Sequence, residues 1–216
     1  MNILQMKQQY EELKERYAVP FLVAPHTKYM FVLESAHIAE LLNRAPVSGL
    51  SGVAMSSVLY TGEKKALGSV LKERVNLPSE HKGVMNICPI PMQLAAYTNP
   101  DVVETYGELD VARYQDFFTI LEKIRTGTKE KYRDEDKTNM QRIILEDFKL
   151  EVQRVSSHVE LFIPCGNTAQ VFFRAAFAGQ NMPPIKEVPH PSFGNWHKKK
   201  YFSTIEDMKK VVEYYA

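Results

Sequence analysis

Residues 29–33 read YMFVL and run straight into the polar ESAH. So short an apolar run with so abrupt a polar end is the pattern of a buried strand that delivers its C-terminal end to a loop. The pattern recurs. GVMNICPI, residues 83–90, is a second strand that Pro89 and Pro91 terminate. HVELFIPCGNTAQVFFRAAF gives a strand through residue 163, a glycine turn at Gly166 and then a helix, and PPIKEV gives a fourth strand. Helical patterns separate these runs. Residues 2–17 place Leu4, Tyr10 and Leu13 near one face, and after the glycine-containing APVSGLSG Ser51 is placed to cap a helix through GVAMSSVLY. Two longer helices are expected at 109–125 and 138–154, on either side of the charged GTKEKYRDEDK, and a last one from about residue 203. Strands alternating with helices predict an α/β fold, a three-layer α/β/α arrangement around a central, mainly parallel four-stranded sheet. In such folds the ligand crevice lies beyond the carboxyl ends of the strands.

The chain has 216 residues, which suits a single domain spanning 1–216 with the helix at 2–17 wrapping its core. At 44% hydrophobic and 25% charged residues it has the balance of a globular protein and not of a disordered one. A net charge of +1 means that any contact with nucleic acid must come from local clustering of cations. Cys88 and Cys165 lie far apart and have no metal-ligand spacing. Neither a metal nor another cofactor is therefore expected, and the cysteine usage suits a reducing cytosol. The opening MNILQMKQQYEELKERY resembles neither a signal peptide nor a membrane span, so the expectation is a cytoplasmic protein without membrane contact, as a monomer.

The strand-end rule gathers the chemically capable residues to one address. Glu34, at a strand end, is either a surface or capping carboxylate or a group that positions water and stabilises a cationic sugar. His37 is either a first-turn surface histidine or a pocket wall beside a bound base. Asn86 lies inside an apolar strand, where an amide is costly to bury unless its donor and acceptor are both used. It is either a satisfied core residue or an amide that reads a base edge. His190, between Pro189 and Pro191, has a constrained backbone suited to a turn or to aiming an imidazole at developing negative charge. Gly49, Ser51 and Ser192 are loop groups able to meet phosphate, although each serine also suits a cap or turn. Phe193 and Trp196 are core residues or stacking wedges, core being the better reading for Trp196. Lys198, Lys199 and Lys200 form either a solvated run or a phosphate footprint.

Taken in order, these elements resemble the uracil-DNA glycosylase superfamily, most closely the branch whose first motif reads roughly GEAPG followed by GRPFVGRAG. LESAH, residues 33–37, stands at the first motif and APVSGLSG, residues 45–52, at the glycine loop. VMNIC places Asn86 where the family carries its base-recognising asparagine, CGNTAQ is similar to the family's GxxA element through Gly166 and Ala169, and HPS, residues 190–192, matches its terminal motif. Three departures are plain. Ser35 stands where the best-known members carry a water-activating aspartate or asparagine, Val47 stands where the glycine-loop branch stacks a phenylalanine on the base, and that branch's iron-sulfur cysteines are absent.

The resemblance implies a monofunctional DNA glycosylase that hydrolyses the N-glycosidic bond of a flipped-out uracil or other deaminated or damaged base, with DNA as its partner. Glu34 and His190 would be catalytic, and His37, Val47 and Asn86 would surround the base. Gly49, Ser51, Ser192, Phe193, Lys198, Lys199 and Lys200 would hold the DNA. A catalytically weakened member that binds DNA or a nucleotide is the alternative, favoured by Ser35 and Val47. Hydrolysis of a free nucleoside or nucleotide is a third reading, for which the lysines would be superfluous.

Overall fold

A computed structural model describes residues 1–213 of the chain. Three parallel strands form one sheet in the order β2-β1-β3, with β1 (Tyr29–Ser35) in the middle, β2 (Lys82–Cys88) on one side and β3 (Leu161–Pro164) on the other. Leu33 pairs with Asn86, Ser35 with Cys88 and Val32 with Pro164, so β1 and β2 end level with each other and β3 stops opposite Val32. As the middle strand, β1 is covered on both faces, which is why its sequence is continuously apolar and not alternating. Met30 and Val32 enter one core with Tyr10, Phe118, Phe148 and Phe173. Tyr29, Phe31 and Leu33 enter another with Leu67, Trp196 and Met208. Burying each of the large side chains in these cores stabilises the fold by about 1.5–3 kcal/mol.

The helices fill the connections. α1 (Ile3–Tyr17) precedes the sheet; α2 (Ile38–Asn43), α3 (Leu50–Leu59) and α4 (Leu67–Arg74) link β1 to β2. Between β2 and β3 come α5 (Leu94–Tyr97), α6 (Pro100–Tyr106), α7 (Val111–Thr126) and α8 (Glu135–Val155), and α9 (Asn167–Ala176) and α10 (Phe202–Glu213) follow β3. Asp110 and Asp134 cap α7 and α8 by accepting from the backbone N–H groups of Arg113 and Lys137. The Asp134 cap starts α8 three residues before the expected 138, within the charged connection.

Three expectations change. The PPIKEV segment is not a fourth strand: Ile185 and Val188 form only isolated parallel bridges to Phe162 and Cys165, because prolines 183, 184 and 189 remove backbone donors around them. Leu4 does not face the core. The buried stripe of α1 is Met6, Tyr10, Leu13 and Tyr17, and Leu4, half a turn away, is 73% exposed. Ser51 does not cap α3; Gly49 holds the cap position and Ser51 lies in the first turn. α2, α4, α5 and α6 are four short helices beyond those that the periodicity predicts. Among the described residues no helix is long and apolar enough to cross a membrane, and no cluster of three or more His, Cys, Asp or Glu side chains is placed to hold a metal ion.

Candidate functional site

Beyond the C-terminal end of β1 lies a cavity of about 740 Å³, within the range that accommodates small organic ligands. The sheet delivers Glu34 and Ser35 to it, the start of α2 delivers His37 and Glu40, the loop before α3 delivers Val47 and Gly49, and the first turn of α3 delivers Leu50 and Ser51. The loop before α10 contributes His190, Ser192 and Phe193, and the end of α7 contributes Arg125.

His190 is held by its neighbours with a defined proton arrangement. The backbone N–H of Ser192, which can only donate, points at Nδ1 from 3.1 Å, and the Ser192 hydroxyl lies 2.8 Å from the same atom. Nδ1 is therefore an acceptor, and the neutral ring carries its proton on Nε2. Burial lowers the pKa of the imidazole, so the neutral donor form prevails at physiological pH. The segment is pinned on several sides: the Trp196 indole N–H donates to the Pro189 carbonyl at 2.8 Å, Asn195 Nδ2 to the His190 carbonyl at 3.1 Å, and the Gly166 N–H to the Val188 carbonyl at 2.8 Å. Gly166 has φ +91° and lies flat against His190; a Cβ there would sit 2.6 Å from the His190 Cβ. The GN turn and the HPS tripeptide thus form one packed unit.

Glu34 is half-buried, and burial raises its pKa, partly offset by the Thr168 hydroxyl and by the Arg125 guanidinium 3.8 Å away. The carboxylate is consequently oriented but incompletely neutralised. The Nε of Arg125 is buried and makes no hydrogen bond among the described residues.

The residue the sequence reading missed is Glu40. It is only 7% exposed, yet it lines the cavity. Its Oε1 accepts from the Val47 N–H at 2.6 Å and its Oε2 from Asn86 Nδ2 at 2.9 Å. Burial pushes its pKa up to about 7, against the lowering effect of Asn86 and of the Val47 and His37 backbone amides. Val47 itself has φ +48°, an outlier for a β-branched residue. Such a conformation costs about 1–3 kcal/mol and persists only where the surroundings fix it. Glu40 fixes its N–H, and Gly52 of α3 lies so close under its carbonyl that no Cβ fits between them. An acid in the apolar AELL run of α2 was the available signal; nothing in the sequence marks Arg125 out from the other cations of α7.

Eight predicted residues therefore meet at one cavity: Glu34, His37, Val47, Gly49, Ser51, His190, Ser192 and Phe193. Asn86 is not brought to its wall; the amide lies behind Glu40, and its Oδ1 is buried without a hydrogen bond. Lys198, Lys199 and Lys200 are exposed outside the cavity, Lys198 bonded to Asn195 Oδ1 at 2.7 Å and Lys200 over the Tyr201 ring. Trp196 is buried against Phe31, whereas Phe193, at φ +55°, is 89% exposed at the cavity mouth, as is Leu50 at the start of α3. A scan against protein-family models finds no match, and a search of curated proteins finds no similar sequence.

Proposed function

We propose that the chain is a monofunctional DNA glycosylase that removes uracil or another deaminated or damaged base after flipping it into the cavity. The observation that carries this reading is the His190 imidazole, fixed in its Nε2–H form in a cavity that also holds an oriented, half-buried carboxylate. As the C1′–N bond stretches, the sugar becomes oxocarbenium-like and the base gains negative charge. His190 Nε2–H donates to the departing anion, which a donor of fixed orientation stabilises by about 3 kcal/mol in the transition state. Glu34 holds the attacking water or faces the sugar cation; the water oxygen bonds to C1′ and its proton passes to the carboxylate or to solvent. His37 walls the base, which sits beside Glu40 and Val47, with Asn86 supporting Glu40 from behind. Among the described residues no lysine lines the cavity, which favours hydrolysis over a Schiff-base lyase route.

Gly49, Ser51 and Ser192 would meet phosphates on either side of the flipped nucleotide, Phe193 would fill the vacated stack, and Lys198, Lys199 and Lys200 would contact the flanking backbone. In this reading the helices and the three-stranded sheet form the three-layer arrangement of the superfamily, and the protein acts as a cytoplasmic monomer. Arg125 favours a second reading, binding of DNA or a nucleotide without cleavage, because its charge weakens Glu34 as a base. Labelled duplexes and single strands carrying uracil, hypoxanthine, xanthine or alkylated bases separate the two. Alkali-labile sites formed by the wild type and lost in His190→Ala support catalysis; salt-sensitive binding without any such sites supports the second reading.

A further inference from the structure

Glu40 has an acceptor left over. An ionised carboxylate offers about four lone-pair positions. The Val47 N–H and Asn86 Nδ2 use two, and the residue lines the cavity. Neither a lysine nor an arginine pairs with it among the described residues. The Asn86 amide orientation follows from the same contact, since a carboxylate can only accept and the NH₂ must turn towards it. A buried acceptor without a cation calls for a ligand that brings an N–H donor.

Resting on the glycosylase reading, we infer that Glu40 is the specificity-determining contact of the cavity, accepting a hydrogen bond from the ring imino N–H of a lactam base, uracil N3–H or hypoxanthine N1–H. The chemistry of deamination is what makes this contact discriminating. Cytosine N3 and adenine N1 are lone-pair acceptors, and deamination turns each into an N–H donor. A carboxylate attracts the product and repels the parent. Guanine and thymine carry the same N–H, so Glu40 separates cytosine from uracil and adenine from hypoxanthine and leaves other exclusions to the shape of the cavity. A site that hydrogen-bonds one group rejects the analogue lacking it strongly, because the buried partner is then left unpaired.

The test is binding of free bases at pH 8, where Glu40 is mostly ionised, alongside cleavage of oligonucleotides carrying the same bases. The probes are uracil, 3-methyluracil, cytosine, hypoxanthine and 1-methylhypoxanthine, with wild type and Glu40→Gln. Gln preserves shape: its Oε1 can keep the Val47 N–H and its NH₂ can donate to Asn86 Oδ1 once that amide turns over, and towards a ligand the side chain no longer offers a carboxylate. Wild type is expected to bind uracil and hypoxanthine about 10- to 100-fold more tightly than their N-methyl derivatives or cytosine, the worth of a hydrogen bond to a charged group. Glu40→Gln is expected to narrow that gap to within about threefold and to gain cytosine binding, which a merely structural role for Glu40 would not produce. Undiminished discrimination in Glu40→Gln would place the contact elsewhere and overturn the inference, as would equal binding of methylated and unmethylated bases or no binding of any base. Discrimination without cleavage on any oligonucleotide would sustain the Glu40 contact and defeat the hydrolytic reading; cleavage without discrimination would do the reverse.

Discussion

Replacing Glu40 by Gln should reshape the pH dependence of stability. Burial pushes the carboxyl's pKa from an ordinary 4.5 up to about 7, and the neutral donors around it offset this only in part. The folded state thus binds the proton more tightly than the unfolded chain. Glu40 therefore contributes stability that is fully present below about pH 4.5 and is lost as the pH rises through about 7. At about 1.4 kcal/mol per pH unit, the ionised carboxylate costs the fold about 3 kcal/mol by pH 8. Urea unfolding of wild type and Glu40→Gln between pH 4.5 and 8 measures this directly. The stability of Glu40→Gln relative to wild type should increase by about 3 kcal/mol across that range, the His190 titration being common to both. Stability curves that run parallel within about 0.5 kcal/mol would refute the claim that an uncompensated carboxylate sits there. A destabilising acid at the wall of a cavity has a ready reason to be there if a ligand supplies the missing donor.

Gly166→Ala forces a Cβ against His190 in a backbone conformation that suits glycine; denaturant unfolding should show a loss of about 2 kcal/mol or more, and any base excision should fall with it. Changing Lys198, Lys199 and Lys200 to Ala should leave the melting temperature unchanged and reduce the slope of log K for duplex DNA against log salt by roughly 0.9 for each lysine that contacts phosphate. An unchanged slope would return these lysines to ordinary surface. Phe193→Ser, at an 89% exposed position, should leave stability within about 0.5 kcal/mol of wild type and slow the excision of paired bases more than of bases in single strands.

The elements that carry the site were legible because their patterns are local. The YMFVL run, the proline stop after NIC and the glycine turn before TAQ each mark where a strand ends, and the site lies at those ends. Two kinds of feature were not legible. PPIKEV has the length and position of a fourth strand, but beside its flanking prolines the pairing stops at isolated bridges. Long-range polar partners are invisible in a linear pattern: an amide in an apolar strand must be satisfied, but that the Asn86 donor goes to Glu40, 46 positions earlier, depends on the three-dimensional path of the chain. The same holds for Arg125, which reaches Glu34 only because α7 ends beside the sheet.

The most direct test of the central claim is to quantify free base and abasic sites together after incubating the protein with a uracil- or hypoxanthine-containing oligonucleotide. The account predicts equal amounts of the two from the wild type, no strand cleavage without added alkali, and loss of both products in a folded His190→Ala variant. No released base from any of the deaminated or alkylated substrates, or undiminished release by His190→Ala, would contradict it.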